Sequence, residues 1–309
     1  MISPKSSSMH IISGDNNPGI LKKIFWILIN FIINIFSSLI KMDPYLKLSF
    51  HKTEDFEDKL NKINKTFTPT RTATDLYWLS IPKNEIIENL GKIKVLDIGC
   101  GSGIYYYLLS DIFGEKLELY TGFDKKLRIS SELKMEKNAN FIEDDIENLG
   151  QLAKNYNLII SNSFIEHIDN DLKMFEDLKI IEENKHPTLQ IHTFPAKPCL
   201  FTYLAHGIRQ YSSGTVSKIS KTFDNHKTRK FLIGLGSKYI SNFHFNEITL
   251  KKIFRRKNNI ERNNLEIYRN KFIDAYKKDL SLKDKININK ANFYALILET
   301  NFNKKIDRY

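Results

Sequence analysis

Residues 94–103, which read KVLDIGCGSG, constrain the fold of this chain more than any other stretch. The first half, with Val95, Leu96 and Ile98, predicts a short buried strand, and the apolar residues from Ile104 onwards predict a helix. A strand, a glycine turn and a helix in this order bring helix N-terminal amides against a ligand. Glycine is needed where a side chain would hold the backbone away from that ligand.

The spacing of the glycines narrows the choice of ligand. Asp97, Gly99, Gly101 and Gly103 give D-x-G-x-G-x-G, whereas a dinucleotide site has G-x-G-x-x-G and a P-loop ends in Gly-Lys-Ser/Thr. The stretch resembles motif I of the class I S-adenosylmethionine-dependent methyltransferases. This resemblance implies that the loop, including Cys100, binds the methionine end of the cofactor, with Asp97 near its ammonium group. The alternative is a glycine turn in an unrelated α/β domain.

Two later aspartates agree with the next motifs of that family. Asp124 ends a predicted strand that begins at Leu117 and lies 25 residues after Gly99. The resemblance implies that its carboxylate accepts the two ribose hydroxyls of the cofactor. After a weak predicted strand, Asp145 would accept from the adenine amino group while Ile146 packs on the ring; the neighbouring Asp144 is the alternative acceptor. A helix N-cap at either aspartate is the alternative role, and both roles are compatible.

The segment after the predicted fourth strand carries the candidate catalytic residues. Ser161 and Asn162 end that strand and are expected to contact the cofactor. Glu166-His167-Ile168 resembles methyltransferases that act on quinones, lipids and related acceptors. His167 is the candidate general base, because an imidazole pKa suits removal of a hydroxyl proton, and Glu166 is its catalytic partner. Alternatively, the pair locks the following helix and catalysis is mainly alignment.

No metal is expected at this segment. In some members of the resembled group, an earlier carboxylate, the Glu and the His are associated with a divalent ion, but Ser163 stands at the earlier position here. The segment also lacks the Asn/Asp-Pro-Pro-Tyr/Phe motif that positions nucleic-acid bases. Nucleic acid is therefore not the expected partner.

Residues 195–245 are expected to form a lid over the methyl-donor end of the cofactor. Between Pro195 and Asn242 the chain has eight Lys and Arg residues but only one acid, Asp224. Such a lid suits an anionic, partly apolar acceptor such as a lipid-linked phosphate or a phosphorylated glycan. A solvated basic loop is the alternative.

An apolar segment near the N-terminus predicts a membrane-associated helix. Residues 24–40 are 17 uncharged residues flanked by lysines, and Asn30 and Asn34 fall on one polar stripe at helical spacing. A helix over 21–41 would lie in a membrane interface. Packing on the domain, packing in a dimer and a true span are alternatives, although a span would move two lysines across the bilayer against the positive-inside tendency.

The expected fold is α/β, with a Rossmann-like, mostly parallel seven-stranded sheet between helices and an antiparallel last strand. The sixth strand is predicted at Leu265–Tyr268, and the seventh, at 292–299, is placed at the sheet edge. The expected divisions are a disordered tail at 1–20, the helix at 21–41, a helical cap at 42–92, a methyltransferase domain at 93–300 and a tail at 301–309. In the cap, Tyr77 and Trp78 are candidate substrate or cofactor contacts, or core residues.

Composition extends these expectations to location and partners. The net charge of +11 indicates an anionic partner, although a Lys- and Asn-rich proteome would give the same value. Two cysteines, one of them in the glycine loop, indicate a reducing compartment. We expect a cytoplasmic enzyme, peripheral on the inner face of the cell membrane, that uses S-adenosylmethionine to O-methylate a small-molecule, lipid or glycan-intermediate acceptor. An RNA methyltransferase and a non-catalytic interaction protein are the alternatives.

Overall fold

The computed structural model describes residues 6–16, 18–53, 55–63, 68–146, 149–253, 264–282, 287–306 and 309. Within them, one sheet has eight strands: β1 Leu46–Phe50, β2 Ile93–Ile98, β3 Leu117–Asp124, β4 Ala139–Glu143, β5 Leu158–Asn162, β6 Thr188–Pro195, β7 Thr228–Leu235 and β8 Phe293–Thr300. The strand order is β1-β7-β8-β6-β5-β2-β3-β4. Each neighbouring pair is parallel except the two that involve β8.

Helices surround the sheet in the described part of the chain. They are α1 Ile20–Phe36, α2 Phe56–Asn61, α3 Pro69–Trp78, α4 Lys83–Leu90, α5 Tyr105–Phe113, α6 Ser131–Lys134, α7 Leu149–Ala153, α8 Asp171–Leu178, α9 Cys199–Tyr203, α10 Ser213–Ser220, α11 Lys238–His244, α12 Lys251–Ile253 and α13 Leu265–Ser281. A π-helical segment, Phe245–Leu250, joins α11 to α12.

Both faces of the sheet are buried, which explains the nearly continuous apolar sequences of its central strands. Successive side chains of a strand point to opposite faces. Val95 therefore packs with Leu109 of α5 on one face, while Leu96 packs with Phe175 of α8 on the other. The expected Rossmann-like fold, with helices on both faces and an antiparallel last strand, is confirmed.

The prediction of the sixth strand at Leu265–Tyr268 is wrong, because this segment begins α13. The Asn264 side chain accepts hydrogen bonds from the backbone N–H groups of Glu266 and Ile267 and so caps the helix. Tyr268 then starts a buried stripe at helical spacing, and its ring stacks on that of Phe272. Four residues that alternate like a strand were too short a sample to reveal that period.

The strand that follows β6 in sequence is β7, and it lies inside the segment 195–245 predicted to be a lid. Two of the cations assigned to that lid are structural: Arg229 forms an ion pair with Glu299 of β8, and Lys230, which is fully buried, lies 3.3 Å from Asp43. The seventh strand, β8, lies between β6 and β7 rather than at the edge. The edge on this side of the sheet is formed by β1, which lies within the region expected to be a helical cap, and the other edge is β4.

The N-terminal region packs on the domain. Residues 6–16, expected as a loose tail, are held by hydrogen bonds from the Ser7 N–H to Asp171 (2.7 Å) and from the Gly14 N–H to the Gly207 carbonyl (2.6 Å). Helix α1 follows directly. No helix among the described residues has both the length and the apolar character needed to cross a membrane.

Candidate active site

The glycine loop after β2 has the backbone that its sequence requires. Gly99, Gly101 and Gly103 have φ angles of +74°, +56° and +69°, in the left-handed region that favours glycine. A Cβ on Gly99 would lie 2.1 Å from the Phe164 ring, and one on Gly103 would lie 2.7 Å from Leu133. A Cβ on Gly101 would meet nothing within 4 Å. The outer glycines are thus needed for packing, while the middle one borders open space that a ligand can enter.

Asp124 is fixed at the mouth of this loop. The pairing of Ile98 with Phe123 places the end of β3 beside the loop. One oxygen of Asp124 accepts from the Gly101 N–H at 2.9 Å, and the other accepts from the Lys126 N–H at 3.0 Å. These bonds orient the carboxylate, whose remaining lone pairs can accept from a ligand.

Asp145 lies at the same edge of the sheet, because β4 pairs with β3 up to Glu143 opposite Asp124. Its carboxylate forms an exposed ion pair with Lys125 (2.8 Å) and accepts from the Ile146 N–H (2.8 Å). The hydrogen bond from Lys125, with that from the Ile146 N–H, lowers the pKa of Asp145. Asp145 is therefore an accessible, ionised acceptor.

Asp97 lies beneath the loop rather than at its surface. It is fully buried, and the Tyr120 hydroxyl donates to its Oδ2 at 2.5 Å. Burial raises the pKa of Asp97 to about 7, although the bond from Tyr120 opposes the shift. Cys100, also buried, has a thiol whose pKa burial raises, so it is a packing residue and not a reactive thiolate.

The end of β5 is held by buried polar contacts. The Asn162 Oδ1 accepts from the Trp78 indole N–H (3.0 Å) and from the Thr193 hydroxyl (2.8 Å). Ser161 is fully buried, and its hydroxyl bonds to His192 Nδ1 at 2.8 Å. Burial lowers the pKa of His192 to about 3, so this ring is neutral. The structure thus places Ser161 and His192 inside the domain, where the two side chains satisfy each other.

Glu166 and His167 form a cluster with two residues that the sequence did not single out, His206 and Asp15. The Nε2 atoms of His167 and His206 lie 3.7 and 3.8 Å from the Glu166 Oε1. Their Nδ1 atoms face Asp15, at 2.5 and 3.3 Å. Two imidazoles therefore lie between two carboxylates. Only spatial proximity joins these residues, since they come from three distant segments.

The cluster shifts the pKa values of its members. Burial raises the pKa of Glu166, whose carboxylate is fully buried and accepts no hydrogen bond from a described residue. Burial alone would lower the pKa of His167, but the bond to Asp15 and the charge of Glu166 outweigh it and raise that pKa. While its Nδ1 atom is bonded to Asp15, His167 thus favours the protonated form.

The same cluster offers the atoms of a metal site. Glu166, His167 and His206 each present one ligand atom, and these atoms lie within 4.8 Å of one another. One carboxylate and two imidazoles suit a divalent transition metal. The sequence expectation of no metal rested on Ser163 and did not take account of His206.

A cavity of about 920 Å³ lies between α3 and the start of α5; on the loop side its lining begins at Ile104, directly after the loop, and it does not include Asp124 or Asp145. Arg71, Asp75, Trp78 and Tyr105 are part of its lining. Asp75 is 3.2 Å from Arg71 Nε and accepts from the Tyr105 hydroxyl at 3.3 Å. Trp78 is buried but borders this space, whereas Tyr77 is a core residue that does not line it. Sequence reasoning missed Arg71 and Asp75, whose only signal was opposite charges four residues apart on a helix.

Known proteins similar to this chain are methyltransferases. Residues 90–194 match the family model described as "Methyltransferase domain", from the end of α4 through most of β6. Over 87 residues the chain is 33% identical to malonyl-[acyl-carrier protein] O-methyltransferase 1 of Ilyobacter polytropus, a match that covers 28% of this chain and 32% of that protein. The chain therefore matches about a third of the length of this curated relative.

Solved structures with a distant likeness include three methyltransferases. The plantazolicin methyltransferase BamL, in complex with a desmethylPZN analog and SAH, is 14% identical, with a TM-score of 0.41 over 80% of this chain and 90% of that one. A putative sarcosine dimethylglycine methyltransferase from Galdieria sulphuraria is 13% identical (TM-score 0.45, 80% and 99%). The methyltransferase domain of bacterial CtHen1-CN is 15% identical (TM-score 0.46, 75% and 99%).

The family match covers the glycine loop, Asp124, Asp145 and the Glu166–His167 pair. It confirms the resemblance inferred from the glycine spacing. For residues 90–194, the match agrees with the expected enzyme class, a methyltransferase, and with the expected cofactor, S-adenosylmethionine.

Proposed function

We propose that this chain, whose residues 90–194 form a class I S-adenosylmethionine-dependent methyltransferase domain, methylates an oxygen of a small-molecule, lipid or glycan-intermediate acceptor at a membrane surface. The observation that carries the cofactor site is the open backbone at Gly101 beside the fixed carboxylate of Asp124. O-methylation is favoured by the name of the Ilyobacter relative, which is itself an O-methyltransferase.

The proposed cofactor contacts follow the sheet edge. The loop from Gly99 to Gly103 holds the methionine end, Asp124 accepts the ribose hydroxyls, and Asp145 with Ile146 holds the adenine. Asp97 and Asn162 support the loop and the end of β5 from within the domain. The bound cofactor supplies a methyl group on a positively charged sulfur, and the chain contributes alignment of the acceptor.

His167 is proposed to accept the proton of the acceptor hydroxyl, with Glu166 holding the imidazole in place. Only the neutral ring can act as a base. Asp15 favours the protonated ring in this structure, so the base role requires a weaker contact between Asp15 and His167 or a higher pH. Residues 199–212, between β6 and α10, are the proposed remainder of the acceptor lid, because His206 in this segment reaches the cluster.

We propose that α1 attaches the protein to a membrane. A helix on the surface of a soluble protein buries its apolar side and exposes its polar side, whereas α1 does the reverse. Its polar stripe faces the domain, where Asn30 and Asn34 are buried. Its apolar face is exposed: Leu21 has 83% of its surface exposed, and the residues that share this face are Ile20, Ile24, Phe25, Leu28, Phe31, Ile32, Ile35 and Phe36. Single exposed apolar residues are ordinary, whereas a continuous apolar face marks an interaction surface. This exposed apolar face supports the proposal that the helix lies in a membrane interface.

Calorimetric titration with S-adenosylmethionine tests the cofactor site. We expect Asp124→Ala to weaken binding by at least about tenfold, because it removes charge-assisted bonds to the ribose. Asp58→Ala, an exposed aspartate on α2, is the matched control and should bind as the wild type does. Equal affinity in the two variants would contradict the role of Asp124.

Flotation with phospholipid vesicles tests the membrane site. The double variant Ile24→Glu/Leu28→Glu places two charges on the exposed face of α1 and should abolish flotation without loss of folded stability. Ile24→Ala/Leu28→Ala is the milder control. If the wild-type chain does not float and is a dimer, while the double variant is a monomer, the apolar face of α1 contacts a second copy of the chain and not a membrane.

A further inference from the structure

A second cavity, of about 640 Å³, lies beneath α1 and is lined by four separate segments of the chain. Lys197 follows β6, Lys238 begins α11 and Lys290 precedes β8, and all three line this cavity. No acidic residue is part of the lining, and no described carboxylate forms an ion pair with any of the three lysines. Lys197 is half-buried and Lys238 and Lys290 are exposed, so the three lysines give the cavity a positive potential that favours an anion.

Two buried amides in the same lining have unused hydrogen-bonding atoms. Asn34 of α1 is 2% exposed, and neither its Oδ1 nor its Nδ2 has a partner among the described residues. Asn292 is 1% exposed; its Nδ2 donates to the Ser237 carbonyl at 2.8 Å, but its Oδ1 has no partner. Buried polar atoms without a partner cost folding free energy, so such atoms in a cavity point to a polar ligand.

The cavity also borders the apolar face of α1. Phe31, which belongs to that face, and Phe201 of α9 both line the cavity and are about half exposed. A ligand bound at the lysines could therefore extend an apolar part past these rings and along α1. This combination of charge and apolar surface matches an amphiphile with an anionic headgroup.

The cavity is distinct from the cluster at Glu166. Thr202 of α9 lines the cavity, whereas the next residue, Tyr203, packs its ring on His206 at 5.2 Å between centroids. Helix α9 thus contributes to both sites, but neither Glu166 nor His167 lines the cavity.

We propose that this cavity binds the phosphate headgroup of an anionic membrane lipid, with Asn34 donating to a phosphate oxygen and Lys197, Lys238 and Lys290 neutralising its charge. The acyl chains then lie along the exposed face of α1. The site extends the proposed membrane attachment and does not rest on methyl transfer. A free phosphate compound shares the headgroup chemistry, and the two sources are separated by the experiment.

Calorimetric titration with dihexanoyl phosphatidic acid, below the concentration at which it forms micelles, and with glycerol 3-phosphate tests the proposal. The full chain should bind the lipid saturably and glycerol 3-phosphate at least about tenfold more weakly. Asn34→Leu, which changes no charge, should weaken lipid binding by at least about tenfold because a bond to a charged group is lost. Asn30→Leu, one turn away on the same helix and outside the cavity, is the matched control.

The charge contribution is tested with Lys197→Gln/Lys238→Gln/Lys290→Gln. It should lose saturable lipid binding, whereas a control triple variant of equal net charge keeps it; the control positions are the exposed lysines 116, 134 and 137. Thermal denaturation and titration with S-adenosylmethionine verify that each variant is folded, and the latter reports on the methyl-donor site separately.

Three results would overturn the proposal. If the folded chain does not bind the lipid, there is no headgroup site. If Asn34→Leu and the cavity triple variant bind as their controls do, the lipid binds elsewhere. If glycerol 3-phosphate binds as tightly as the lipid, the ligand is a free phosphate compound, and the lipid assignment is wrong.

Discussion

Two alanine substitutions in the glycine loop should separate folding from ligand binding. At Gly101 the only cost to the free protein is the left-handed backbone, about 1 kcal/mol for a residue with a Cβ. At Gly99 the same backbone cost applies, but the Cβ would also lie 2.1 Å from the Phe164 ring. Displacing a packed ring costs roughly a further 1–3 kcal/mol, so Gly99→Ala should lower the free energy of unfolding by roughly 2–4 kcal/mol.

For Gly101→Ala, we expect a large loss of cofactor affinity and only a small loss of stability. Its added methyl group enters the open space beside Asp124, so Gly101→Ala should weaken S-adenosylmethionine binding by at least about tenfold although the protein stays nearly as stable as the wild type. Denaturant unfolding followed by circular dichroism measures the first quantity, and calorimetry measures the second. Gly114→Ala, at another glycine with a positive φ angle (+54°) and open space around it, is the control for a backbone cost without a steric clash. Wild-type cofactor affinity in Gly101→Ala, or a loss of stability as large as that of Gly99→Ala, would refute this account of the loop.

Two further predictions concern pH. Asp15→Asn removes the carboxylate that raises the pKa of His167, so the NMR titration of this ring should move to lower pH. Methyl transfer should then become active at lower pH. An unchanged midpoint would mean that Asp15 does not raise the pKa of His167. Asp97 has a pKa raised from 3.8 to about 7, so the folded state binds a proton that the unfolded state releases, and stability should fall as the pH rises between these values. Asp97→Asn stays neutral and should flatten this part of the stability curve in denaturant unfolding at several pH values; an unchanged slope would show that Asp97 is ionised in the folded protein.

The sequence predicted those strands whose apolar residues are continuous and end at a clear signal. β2 ends in the glycine loop and β3 ends at Asp124, and the sequence places both to within about a residue at the end that builds the site. These strands need only local information, because both faces are buried and the next residues turn the chain.

The strand β7 was missed because its charges obscured its pattern. Arg229 and Lys230 made the segment look like a basic loop, whereas Glu299 and Asp43 neutralise them from distant parts of the chain. His206 and Asp15 were missed at the candidate site because they are far in sequence from Glu166 and His167. Contacts between residues far apart in sequence leave no local pattern, so spacing alone could not reveal them.

The position of β8 sets an order for the assembly of the sheet. Among the described strands, β7 and β1 join the others only through β8, which comes last in sequence. During synthesis, β2 to β6 can pair with one another as they emerge, and β7 can pair with β1, but the β1–β7 pair can join the other strands only after residues 293–300. Helix α1, which leads into β1, thus leaves the ribosome before all the strands, yet the edge strand that follows it is the last to be joined to the sheet. The apolar face of α1 can therefore meet a bilayer before the domain behind it is complete.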